Sequence, residues 1–249
     1  MKSTRKTVYL TFDIDWAHDE VIANTLNLLE KEQLPATLFI THKTPLLARM
    51  RANPNLELGV HPNFIPLDMG NCDVSKFLDY AQKILAMYKT LVPEATTVRA
   101  HGLTQNSRLL DLMAEMGYTR ESNLLVTLQS GVNLRAFYHW NGIMRVPYFW
   151  EDDIHCAEME RKTWDSWSPE PFLDNICLKV FDFHPIHLYL NTEEMGRYEA
   201  CRPYFQQPAE LKKRANHEGE GDLTFLKNLI AGAREREYSF GVLRDVYPD

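Results

Sequence analysis

Two aspartates two residues apart close the first apolar run, Val8-Tyr-Leu-Thr-Phe-Asp13-Ile-Asp15. An extended strand puts residues i and i+2 on one face, so Asp13 and Asp15 would enter one site about 7 Å apart. One carboxylate of such a pair can hold a metal ion while the other accepts a proton. Two solvated acids in a turn would have the same composition, so the rest of the chain must decide. Reactive polar residues recur where buried runs stop. His42 lies just past Ala36–Thr41, and His61 closes Leu58-Gly-Val-His61-Pro. Arg99 and His101 close Val98-Arg-Ala-His-Gly102. Glu151, Asp152 and Asp153 follow Arg145-Val-Pro-Tyr-Phe-Trp150, while His184 and His187 close Phe181-Asp-Phe-His-Pro-Ile-His187.

Each residue taken singly has a plain structural reading. His61 could be an interior histidine bonded to backbone, and His42 the start of a helix. Arg99 could brace any acid, His101 beside Gly102 could sit in a turn, and Asp152 and Asp153 could be loop acids. Taken together, five clusters at the ends of buried runs match the arrangement of α/β barrels, whose active sites lie at the C-terminal ends of the strands.

The elements that would position them alternate between strand and helix, which predicts a parallel sheet or barrel. Strands are expected at Val8–Asp13, Ala36–Thr41, Leu56–Val60 and Thr96–Arg99. Helices are expected at Asp19–Gln33, Leu46–Ala52, Ser75–Leu91 (capped by Asp73 or Ser75) and Ser107–Met116, the last closed by Gly117. Leu124–Leu128, Phe137–Trp140 and Ile143–Pro147 read as short strands. Residues 151–175 read as irregular, Ile176–His184 as a buried strand, and 191–220 as a long polar insertion. Leu223–Glu237 and Ser239–Leu243 read as a final helix and strand. With no repeat, low-complexity tract or linker, a single domain over 1–249 is the economical expectation.

The chain of 249 residues is long enough to bury its own core. Its formal net charge of −7 argues against nucleic acid as a partner. The four cysteines, Cys72, Cys156, Cys177 and Cys201, form no zinc-finger or CxxC spacing and suggest reduced thiols. The basic N-terminus leads into a short apolar run that ends in acids, unlike a signal peptide. No apolar stretch reaches the roughly 18 residues of a membrane span. A cytoplasmic location is the expectation.

On these motifs the chain resembles the polysaccharide deacetylases of carbohydrate esterase family 4, the NodB-homology group, and looks closest to a branch associated with bacterial surface-polysaccharide synthesis such as O-antigen assembly. Thr11-Phe-Asp-Ile-Asp15 is similar to the family's Thr-Phe-Asp-Asp with one residue inserted between the acids. Gly59-Val-His61-Pro-Asn is similar to its metal-histidine motif, Arg99 matches its base-orienting arginine, and Asp152-Asp153 its bracing acid. Phe183-His184-Pro185 is similar to the strand that ends in its acid histidine. The likeness leaves out residues 154–175 and 191–220. It implies a distorted (β/α)7-type barrel and a hydrolase that removes N-acetyl groups from an amino sugar.

By that resemblance Asp13 is the general base, Arg99 its orienter and His184 the general acid. Asp15 and His61 ligate a divalent metal, with Zn²⁺ the first expectation and iron, cobalt or nickel compatible. The family's second motif is His-x-x-x-His, and here the second position is Ile65. His101, two residues past Arg99, is the first choice for the missing ligand; His42 and His187 are the others. A backbone N–H near Tyr148 is the expected oxyanion donor, and Trp16, Tyr148, Trp150, Asp152, Asp153 and His187 are the expected substrate contacts. The expected partner is an N-acetylated sugar or sugar precursor. Two other functions fit the same residues: a deacylase or amidase acting on a non-sugar amide, and a non-catalytic carbohydrate-binding protein, which the missing histidine would suit.

Overall fold

The computed structural model describes residues 6–65, 74–164 and 166–248. Asp73 and Cys72 fall outside what is described, as does the side chain of the other proposed cap, Ser75. The strands are β1 (Thr7–Asp13), β2 (Ala36–Ile40), β3 (Leu56–Val60), β4 (Thr97–Val98), β5 (Arg120–Glu121), β6 (Phe137–Tyr138), β7 (Met144–Arg145), β8 (Trp150–Glu151), β9 (Lys179–Phe183) and β10 (Ser239–Gly241). They form one sheet in the order β6-β7-β5-β4-β3-β2-β1-β9-β8, with β10 paired to the first half of β1. Every pairing is parallel except β6–β7. A single parallel bridge, Leu125 to Tyr148, lies outside the named strands. The result is a curled, distorted α/β barrel in one domain.

The helices are α1 (Asp19–Glu32), α2 (Leu47–Ala52), α3 (Val74–Leu91), α4 (Ser107–Glu115), α5 (Asp152–Glu160), α6 (Glu170–Asp174), α7 (Pro185–Leu190), α8 (Met195–Cys201), α9 (Pro208–Arg214) and α10 (Asp222–Glu235). The central strands β1, β2, β3 and β9 are buried along their whole length, as expected of parallel strands covered on both faces. Helix α1 begins where His18 Nδ1 accepts the Glu20 N–H at 3.1 Å. It turns Val21, Ile22, Leu26 and Leu29 inward and ends at left-handed Gln33. Helix α4 is capped by Asn106 Oδ1, which accepts the Leu109 N–H at 2.9 Å. The chain end is tied to the sheet by two bonds: the Leu243 N–H donates to Thr37 Oγ1 and the Arg244 N–H to Glu57, each at 2.9 Å.

Two segments depart from expectation. Residues 151–175 hold helices α5 and α6 rather than irregular chain. Residues 191–220 contain α8, a 3-10 turn at Arg202–Tyr204, and α9. These helices are too short for a helical period to show in the sequence. The few apolar residues of this insertion are concentrated in a second, smaller core, where Cys201 and Leu211 pack with Val21, Ile186 and Leu190. Leu124–Leu128 forms no strand beyond the bridge at Leu125, because Leu128 already begins a 3-10 turn.

Candidate active site

Strand β1 ends at Asp13, so pleating does not bring the two acids together. The next residues turn the chain back. Asp15 and Trp16 have φ of 32° and 53°, a left-handed conformation that costs non-glycine residues free energy. Three bonds hold the turn: Ala17 N–H to Ile14 O at 2.8 Å, Ile14 N–H to Phe39 O at 3.2 Å, and Trp16 N–H to Thr41 Oγ1 at 3.1 Å. The Asp15 carboxylate thereby meets two imidazoles. Its Oδ1 lies 3.2 Å from His61 Nε2 and its Oδ2 3.4 Å from His101 Nδ1, while the two imidazole nitrogens are 3.2 Å apart. His61 follows β3, and His101 opens the 3-10 turn after β4.

These spacings suit a cation. Ligands about 2.0–2.1 Å from a tetrahedral zinc lie roughly 3.3–3.4 Å apart. Asp15 Oδ1 is buried and has no hydrogen-bond partner among the described residues. Burial opposes ionisation of Asp15, but His101, His61 and His184 outweigh it and hold the carboxyl well below its usual range. Asp15, as the acceptor facing the His101 imidazole, raises His101 above its ordinary value. The donor set of one carboxylate and two imidazoles is one that zinc accepts in open sites. His101 groups with Asp15 and His61 at ligand spacing. His42 is not in this group and bonds Thr41 Oγ1 through Nδ1 at 2.8 Å. His187 groups instead with Asp152 and His184.

Behind the cluster, Arg99 is wholly buried. Its Nη1 donates to Asp13 Oδ1 at 3.0 Å, to Thr11 Oγ1 at 3.0 Å and to Asp182; its Nε and Nη2 donate to Ser122 O and Oγ. The guanidinium lies between the Phe39 and Tyr148 rings, 4.4 and 4.5 Å from their centroids. Gly59 leaves room for the Phe39 ring, since a Cβ there would come within 2.8 Å of it. Burial works against the Arg99 charge, but Asp182 and Asp13 outweigh it and hold the group above its ordinary value. Burial pushes the Asp182 carboxyl up, with Arg99 opposing and Asp13 adding to the rise. The second oxygen of Asp13 accepts no hydrogen bond among the described residues and lies 3.4 Å from His61 Nδ1.

The opposite side is built from β9 and the start of α5. His184 Nδ1 contacts Asp152 Oδ1 at 2.6 Å, and the His184 backbone N–H donates to the other Asp152 oxygen. His184 Nε2 is thus free to face Asp15 Oδ2, 3.7 Å away. Burial opposes a charge on His184, yet Asp152 overrides it and keeps the imidazole well above the usual histidine range.

A cavity of about 500 Å³ opens over these groups. Asp15, Trp16, His101, Asp153, His184 and His187 line it from the barrel. The remaining expected contacts lie elsewhere. Trp150 is buried and stacks on Phe225 at 4.4 Å, as a core residue. Tyr148 is fully buried, its N–H donates to Leu124 O at 3.0 Å, and its hydroxyl donates to Glu151 at 2.7 Å. That N–H is therefore not free to bind an oxyanion. Asp152 is fully buried and acts on His184 rather than on the cavity. Asp182 was not anticipated. The available signal was a lone acid inside the apolar strand Val180-Phe-Asp-Phe183, on the same face as His184 and in register with Thr11.

Comparison with known proteins bears on the family and the fold. A family model described as WbmS-like polysaccharide deacetylase matches residues 10–202, which takes in residues 154–175 and part of the insertion. A crystal structure from Bordetella bronchiseptica, described as a candidate polysaccharide deacetylase involved in O-antigen biosynthesis, is 39% identical with a TM-score of 0.83. That match covers 92% of this chain and 91% of the other. The polysaccharide deacetylase Bc1974 from Bacillus cereus, 14% identical over 98% of this chain and 96% of its own, has a TM-score of 0.52 and shares the fold. No curated protein matches the chain significantly. The chain belongs to the WbmS-like polysaccharide deacetylase family.

Proposed function

We propose that the protein is a metal-dependent hydrolase that removes an N-acetyl group from an amino sugar of a surface-polysaccharide precursor. The observation that carries this reading is the meeting of Asp15, His61 and His101 at ligand spacing, opposite an Asp152–His184 pair across one cavity. A cation held by those three residues, Zn²⁺ first, supplies Lewis acidity toward the amide carbonyl and acidifies water. Asp13 accepts the proton of the attacking water on the oxygen that Arg99 leaves free. Arg99 fixes the rotamer of Asp13 and supports its ionised form. His184, anchored through Nδ1 on Asp152, presents Nε2 to the cavity and gives its proton to the departing amine, which leaves poorly unless protonated. Acetate and a free amino sugar are the products.

His61→Ala should lose bound zinc and acetate release together. Asp13→Asn should keep the zinc and lose acetate release from N-acetylhexosamine substrates by about 10²-fold or more. Wild-type turnover in Asp13→Asn would reject Asp13 as base. A wild-type protein that binds no zinc after metal addition would reject the reading and favour a carbohydrate-binding module.

A further inference from the structure

The second wall of the cavity comes from the insertion: Met195, Tyr198, Arg202, Phe205 and Gln206. Gln206 Nε2 donates to the Trp16 carbonyl at 3.2 Å, which ties this wall to the turn carrying Asp15. The Tyr198 ring stacks on His187 at 4.7 Å and 19°. The wall therefore touches the site at both edges.

Arg202 is the one Lys or Arg among the described residues lining the cavity. Other arginines of the insertion are committed elsewhere. Arg197 donates through Nε and Nη2 to Glu193 and through Nη1 to Arg214 O, and Arg214 lies over the Tyr204 ring at 4.0 Å. Arg202 donates one hydrogen bond among the described residues, from Nη2 to Glu199 at 2.6 Å, and sits 5.7 Å from the Tyr198 ring centroid. The Arg202 and Glu199 side chains are 62% and 54% exposed. Such an exposed pair is weak and exchanges readily for a better partner. A guanidinium has five N–H donors, so most of those on Arg202 remain open. The rest of the described lining carries two carboxylates, Asp15 and Asp153, and three imidazoles, of which His184 is paired with Asp152 and His101 faces Asp15. On the wall formed by the insertion, Arg202 is the cationic side chain that an anionic substituent would meet, whereas a neutral sugar gains no charge pairing from it.

We propose that Arg202, flanked by Tyr198, forms a subsite for an anionic group, phosphate or carboxylate, carried by the sugar that bears the amide. This rests on the deacetylase reading and narrows its substrate to charged amino sugars. The two sources of charge are a glycosyl phosphate and a uronic acid.

The test is equilibrium binding to the zinc-loaded protein of three probes: N-acetylglucosamine, N-acetylglucosamine 1-phosphate and N-acetylglucosaminuronic acid. Each is titrated into wild type, Arg202→Ala and Arg202→Lys, with acetate release followed in parallel. At least one charged probe should bind about tenfold more tightly than the neutral sugar, and which one does identifies the source. Arg202→Ala should abolish that preference while leaving the neutral sugar within about twofold, and Arg202→Lys should restore part of it. A preference unchanged in Arg202→Ala would trace to the metal or another group and overturn the subsite. So would equal weakening of all three probes, or no preference in wild type. Anion preference without acetate release would sink the deacetylase reading and leave the subsite standing.

Discussion

Replacing Arg99 with methionine tests the polar core that carries the proposed base. The substitution roughly preserves volume and can keep the contacts with Phe39 and Tyr148. It removes five hydrogen bonds, to Ser122 twice, Thr11, Asp13 and Asp182. It also leaves two buried carboxylates, Asp13 and Asp182, without their shared cation. Removing one partner from a buried charge pair costs about 3–5 kcal/mol. For a chain of this size each kcal/mol lowers Tm by roughly 2–4 °C, so a fall of about 6–20 °C is expected. The cost should depend on pH. Burial already raises the Asp182 carboxyl in the folded protein. A folded-state pKa raised above the unfolded value means stability is lost as pH rises through it. Without Arg99 the pKa rises further, so the deficit should be larger at pH 8 than at pH 5. Adding Asp182→Asn removes one unpaired charge and should recover about 1 kcal/mol or more relative to Arg99→Met alone. Denaturant unfolding at both pH values gives the measurement. A loss below about 1 kcal/mol, or a double variant whose two costs simply add, would refute the reasoning.

Trp150→Ala should destabilise by about 3–5 kcal/mol, read from the denaturant midpoint, because the ring lies in the core against Phe225; a change confined to KM would instead make it a substrate contact. Asp152→Asn should lower kcat about 10²-fold or more while KM moves little, since the lost charge supports His184 and does not line the cavity; an unaltered kcat would remove His184 from proton transfer. Gly221→Ala should cost about 1–3 kcal/mol in the same unfolding assay, because the new Cβ would stand 2.4 Å from Asn191 O.

The sequence made the first half of the barrel readable for a physical reason. Strands β1 to β3 and helix α1 are buried runs and amphipathic periods bounded by acids, prolines and turn residues, and Leu56–Val60 was expected with the observed ends. The residues at strand ends were found because parallel strands deliver their C-termini to one place. Three kinds of information were less legible. The approach of Asp15 depends on two left-handed residues, which composition does not announce. Asp182 sits mid-strand, where an acid looks like an exception to an apolar run until its partner Arg99 is seen. Trp150 and Tyr148 adjoin reactive residues in the chain, but side chains alternate across a strand, and proximity in sequence placed them on the cavity when packing places them in the core. The insertion was hardest, since its short helices gain their order from α1 and α7 rather than from their own periodicity.

That small second core divides responsibility within the candidate site. The proposed ion ligands and proton carriers stand on the large central cluster, while Tyr198 and Phe205 pack against a patch with five buried members among the described residues. A substitution at Leu211 or Cys201 can therefore reshape the substrate-facing side without repacking the catalytic side. Selection could retune the choice of sugar through one module while the hydrolytic machinery stayed fixed. Faster amide hydrogen exchange in 195–214 than in β1 and β9 would be the physical mark of this independence.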